Sequence, residues 1–164
     1  MSGDWVSAAD IFVASIFVIF LIVISIIDLL RGMIYNKILL PMAVIAIIFD
    51  FTGYLIQIDE AIIAAFLGGI LLYIVQIISH GGLGGGDVKF AFVLGLWLGT
   101  NGILIALFMS TIFASIAGVI ILIKRKNLNL AIPFGPFMSF GALVTFFFKF
   151  QLLTLYDNLF KICL

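Results

Sequence analysis

From residue 11 to residue 27 the chain carries no charged side chain, and comparable apolar runs recur along most of its length. Runs of about 17 to 25 apolar residues are long enough to cross a hydrocarbon core of about 30 Å as a helix. No water reaches backbone N–H and C=O groups inside that core, so such runs must satisfy themselves as helices. The balance of 65% hydrophobic to 10% charged residues excludes an ordinary soluble domain, in which roughly a quarter of residues are charged. The expected fold class is all-α: a polytopic membrane protein of about six transmembrane helices, folded as a single intramembrane domain over residues 1–164.

The apolar runs place helix 1 at Asp10–Leu30, helix 2 at Ile38–Ile56 and helix 3 at Ala61–Ser79. A glycine-rich loop, His80–Gly86, precedes a short helix 4 at Asp87–Leu98. Helix 5 is expected at Ile103–Ile123 and helix 6 at Gly135–Leu155. Charge placement sets the orientation. With the N-terminus outside, Arg31, Lys37, Lys89 and Lys124-Arg125-Lys126 fall inside, while Asp4, Asp10, Asp59, Glu60, Asp157 and Lys161 fall outside. This follows the excess of Lys and Arg in cytoplasmic loops. The N-terminus lacks the basic segment and small-residue cleavage site of a secretory signal, so the first run is expected to remain as a helix.

In this layout the acidic residues left on the inner side are Asp28, at the end of helix 1, and Asp87, at the start of helix 4. A carboxylate at bilayer depth is costly and marks a functional site by default. Two that meet cannot both ionise easily, so they share a proton, as in aspartic proteolysis. The 12 residues of helix 4 cover about 18 Å at roughly 1.5 Å per residue, well short of the bilayer. The Asp87 end is therefore expected below the inner surface. Irregular backbone at that depth must be buried in protein or line a wet cavity, which is what an intramembrane hydrolase needs.

Five glycines among residues 81–86 permit a tight turn and close backbone approach. A phosphate-binding loop would need Lys and Ser/Thr directly after the glycines, and here Asp87 intervenes. The one histidine, His80, and the one cysteine, Cys163, provide no metal site and no internal disulfide. The basic residues form no stripe that would track nucleic acid. No metal or cofactor is expected, and no nucleic acid.

Gly84-Gly85-Gly86-Asp87-Val88-Lys89 resembles the GxGD signature of the type IV prepilin peptidases, a family of intramembrane aspartic proteases. Phe90-Ala91-Phe92-Val93-Leu94-Gly95 resembles that family's continuation into the helix. Asp28, followed by Ile34-Tyr35-Asn36, resembles its first aspartate and downstream Ile-Pro-Asn element, with Tyr35 where proline is usual. Ile132-Pro133-Phe134-Gly135-Pro136-Phe137 resembles its proline-rich lead into the last helix. The elements occur in family order.

The resemblance implies an aspartic endopeptidase in a prokaryotic plasma membrane, its active site facing the cytoplasm. It implies Asp28 and Asp87 as the catalytic pair and a prepilin or pseudopilin helix, lying in the lipid bilayer, as partner. Many bacterial members carry a cytoplasmic insertion with paired zinc-binding cysteines that supports N-methylation. The short Arg31–Lys37 connection has none, so the chain resembles a compact, peptidase-only branch. Gly84 and Gly86 belong to the signature, and Pro133 and Pro136 are expected to border the site. Lys89 is either an inner-leaflet anchor or a charge that tunes Asp87 or docks an acidic substrate residue. Asn36 either hydrogen-bonds Asp28 or ends a turn. Arg31 either holds Asp28 charged or anchors at the interface. Asp50 is expected at the outer interface. The pairs Ala64/Gly68, Ala65/Gly69 and Gly95/Gly99 have the spacing of close helix packing. The alternatives are an archaeal-type preflagellin peptidase, a presenilin-like protease, a cation- or proton-coupled transporter using both aspartates, and a non-catalytic assembly anchor.

Overall fold

The computed structural model describes residues 8–79, 82–125 and 133–162. Asp4, His80, Lys126, Ile132 and Cys163 lie outside the described residues, as do the side chains of Lys124, Arg125, Asp157 and Lys161. The protein is all-helical, with α1 (Ala8–Arg31), α2 (Asn36–Phe51), α3 (Ile58–Ile78), α4 (Gly85–Arg125) and α5 (Gly135–Ile162). Three helices, α1, α3 and the 85–121 portion of α4, are long and apolar enough to cross a membrane.

Helix α1 shows why the sequence folds inward along one line. Val13, Phe17, Leu21, Ile24 and Asp28 are its buried residues, spaced by three or four. That spacing forms one stripe on a helix. The other faces expose Ile11, Phe12, Ile19 and Ile22, which suits lipid rather than water. The stripe of α2 is Leu39, Met42, Ala46 and Asp50. Asp50 is thus buried inside the protein, at 2% exposure. Its carboxylate faces the backbone N–H of Ile56 without closing a hydrogen bond.

Small residues bring α3 and α4 together. Ala61, Ala64, Ala65, Gly68 and Gly69 are buried on α3. A Cβ at Gly95 would stand 2.4 Å from the Ala64 carbonyl oxygen, so only glycine admits this approach. A Cβ at Gly68 would lie 2.9 Å from the Ala91 carbonyl oxygen and 2.7 Å from Ile103 Cγ1. A straight helix would hold residues 91 and 103 about 18 Å apart. Their common contact with Gly68 means that α4 folds over, and it does so at Gly99 (φ 73°, ψ 178°). The expected helices 4 and 5 are therefore the two arms of α4, joined at one residue rather than by a loop. Glu60 Oε1 accepts a hydrogen bond from Thr100 Oγ1 at 3.1 Å beside this reversal.

Phe17, Trp97 and Phe146 form the aromatic centre. Phe17 lies 4.8 Å from both the Trp97 and the Phe146 ring centroids. The buried Trp97 Nε1–H donates to the Met42 carbonyl at 3.1 Å, linking α2 to α4.

Candidate active site

The C-terminus of α1 and the N-termini of α2, α4 and α5 meet at one end of the bundle, and this places Asp28 and Asp87. Asp87 belongs to the first turn of α4, which begins at Gly85, two residues earlier than expected. The Gly84 N–H donates to Asp87 Oδ2 at 3.2 Å. This is the backward-reaching half of a capping box, in which an acidic third residue holds the cap N–H. The carboxylate also sits at the positive end of its own helix dipole. Gly86 lets α4 pass Ile34, whose Cβ would be 3.0 Å from a Cβ there.

Asp28 occupies the last turn of α1, where a helix's own dipole disfavours negative charge. The remedy comes from α5: the Gly135 N–H donates to Asp28 Oδ2 at 2.9 Å, in a buried setting. Gly135 is the first residue of α5, so its N–H has no partner within the helix and is free to serve the carboxylate. Pro133 and Pro136 flank it, each half-buried. Pro136 with Ser25 and Ser139 lines a 230 Å³ cavity between α1 and α5.

Asp28 and Asp87 are 4% and 8% exposed and lie within electrostatic reach of one another. Asp87 Oδ1 is buried with no hydrogen-bond partner among the described residues. Neither aspartate lines the cavity between α1 and α5, so it is not the expected wet cavity. Among the described residues no three His, Cys, Asp or Glu side chains converge as a metal site would require.

The remaining polar residues at this end bond to one another rather than to the aspartates. Arg31 Nη1 donates to the Tyr35 hydroxyl at 3.1 Å and lies over the Tyr35 ring, so it turns toward Tyr35. Tyr35 has φ −84° and ψ 131°, close to the φ range proline would impose, and supports the turn that starts α2. Asn36 Oδ1 accepts from Lys89 Nζ at 3.2 Å, joining α2 to α4. Sequence reasoning did not find the Gly135 N–H as the partner of Asp28. The only signal for it was a glycine between two prolines at a helix start.

Residues 15–123 match the type IV leader peptidase family, and the chain belongs to that family. A protein named prepilin leader peptidase/N-methyltransferase from Xanthomonas campestris pv. campestris is 29% identical over 134 residues, 78% of this chain and 47% of that protein. The protein of that name from Bacillus subtilis is 26% identical over 148 residues, 90% of this chain and 60% of that protein. The one from Aeromonas salmonicida is 27% identical over 128 residues, 74% and 44% respectively. The chain spans about half the length of these curated relatives. No solved structure matches the chain.

Proposed function

We propose that this membrane peptidase is an aspartic endopeptidase that removes the short basic leader of type IV prepilins or prepilin-like proteins at the cytoplasmic membrane face. The observation that carries the reading is that Asp28 of α1 and Asp87 of α4 are both buried at one end of the bundle, within electrostatic reach of one another. Arg31, Lys37 and Lys89 belong to that end, while Asp10, Asp59 and Glu60 belong to the other, which supports a cytoplasmic site and an external N-terminus.

The reaction adds water across one peptide bond. The charged carboxyl takes a proton from water, whose oxygen forms a bond to the scissile carbonyl carbon. The protonated carboxyl hydrogen-bonds the carbonyl oxygen and then supplies the proton that leaves with the amine as the C–N bond breaks. The pair acts as a unit, so neither role belongs to one residue. The Gly84 and Gly135 N–H groups hold one oxygen of each carboxyl. The unpartnered Asp87 Oδ1 is the oxygen offered to water or to the scissile group. The substrate must be extended at the cut, because a helix keeps its carbonyls bonded.

The connection between α1 and α2 is only residues 32–35, with no room for a cysteine-bearing insertion. This supports a reading of cleavage without N-methylation. The test is prepilin processing in membranes by the parent, Asp28→Asn and Asp87→Asn, with mass analysis of the new N-terminus. A mature, unmethylated product from the parent alone supports the proposal. Processing by both correctly inserted variants overturns the aspartic mechanism, and a methylated product overturns the peptidase-only reading.

A further inference from the structure

Beside the site runs an apolar groove of about 570 Å³. Helices α2 and α3 make little contact with each other, and both pack on α4. The gap between them is floored by Val88, Phe92 and Val93 of α4 and walled by residues such as Leu40 of α2 and Phe66 and Ile70 of α3. Leu40, Phe66 and Ile70 are each more than half exposed, so the groove is open toward lipid. Ala43 lies in one wall, while Gly69 is packed against Phe92 of the floor. At one end the lining becomes polar, with Asn36 and Lys89 bonded to one another.

We infer that this groove seats the apolar helix of the substrate, and that Lys89 receives a carboxylate carried at that helix's inner end. The inference rests on the peptidase reading and adds the surface on which the substrate lies. Three features select a helix that carries a carboxylate as occupant. In hydrocarbon a separate chain must be helical to satisfy its backbone. A gap between two helices, floored by a third, lined by apolar side chains and open toward lipid, matches a fourth helix packing in. The groove's lining contains one cation and no acidic residue, so its charge is complementary to a carboxylate.

The groove adjoins the site along α4. Val88 and Lys89 follow Asp87 directly, but residues two apart on a helix do not share a face. Lys89 therefore faces the groove while Asp87, buried, is turned away from it. A substrate helix leaving the groove at Lys89 must unwind and pass around α4 to reach the aspartates. The passage itself supplies the extended segment that cleavage needs.

The experiment places a photo-crosslinking residue at Leu40, Phe66 or Ile70 of the full chain, with Phe108 and Ile116 as outward-facing controls (63% and 53% exposed). Each variant is illuminated in membranes containing a type IV prepilin, and cleavage by the parent is measured in parallel. Adducts to the prepilin at the groove and not at the controls are expected. Lys89→Glu should lower the groove adduct yield about 10-fold, and a prepilin with its inner-end carboxylate changed to Lys should restore it. Cleavage with adducts only at the control positions, only to lipid, or only to a second copy of this chain overturns the groove and leaves the peptidase reading standing. Groove adducts without cleavage by the parent keep the groove and overturn the peptidase. Neither adducts nor cleavage overturns both. Absence of restoration by the charge exchange removes Lys89 as the receiving charge.

Discussion

Asp28 Oδ2 accepts the backbone N–H of Gly135 at 2.9 Å, tying the last turn of α1 to the first residue of α5. The contact is as close as the side chains allow: a Cβ on residue 135 would stand 2.6 Å from the same oxygen. Glycine is therefore required here for its lack of a side chain, not for an unusual backbone angle.

Gly135→Ala should displace the Asp28 carboxyl while leaving the chain inserted. A misplacement of about 1 Å at a reacting group costs about 100-fold in rate. Initial rates of prepilin processing, normalised to inserted protein, should fall by about that factor. A parental rate would show that the carboxyl tolerates the shift.

Gly95→Ala should destabilise the protein through packing alone. The new methyl would meet the Ala64 carbonyl at 2.4 Å and the Ala65 Cα at 2.6 Å, both backbone atoms that cannot swing aside. Overpacking of this kind costs about 1–3 kcal/mol. A lowered Tm in detergent checks it.

Gly99→Ala should cost about 1–3 kcal/mol for a different reason, since φ 73° with ψ 178° is a conformation available essentially to glycine. The methyl would also crowd Glu60 Oε1 at 2.9 Å. Gly53→Ala, at φ 67° with nothing within 4 Å, isolates the backbone contribution of about 1–2 kcal/mol. Denaturant unfolding of the two variants should rank Gly99→Ala as the less stable.

Asp50→Asn should separate a buried acid from a reacting one. Asp50 is as buried as Asp28, but it lies at the other end of α2 from Asn36. Its oxygens lack partners among the described residues, so replacing the acid forfeits no formed hydrogen bond. Processing should continue at the parental rate and Tm should not fall, whereas Asp28→Asn should abolish processing.

The inward position of Asp28 was legible in the sequence, because it continues the spacing of Phe17, Leu21 and Ile24 on one helix. The same arithmetic would have placed Asp50 inside with Leu39, Met42 and Ala46, had spacing been weighed above its position near a helix end. The break around residues 99–102 was visible as a polar dip between apolar runs, though not that Gly99 alone makes the turn. The Gly135 N–H was hidden because a backbone donor has no residue signature and its acceptor lies 107 positions earlier. The Lys89–Asn36 bond was hidden likewise: side chains 53 positions apart meet only once α2 has packed on α4.

Because Asp28 depends on a donor 107 residues downstream, the order of synthesis governs when the site exists. A ribosome delivers α1 to the membrane with this carboxyl still lacking its Gly135 donor, then α2 and α3, and then Asp87. Only when the stretch through Gly135 has followed can the first aspartate be fixed in place. The centre is completed by a late segment of the polypeptide, so a nascent or truncated chain that stops short of α5 carries both aspartates without the arrangement that joins them.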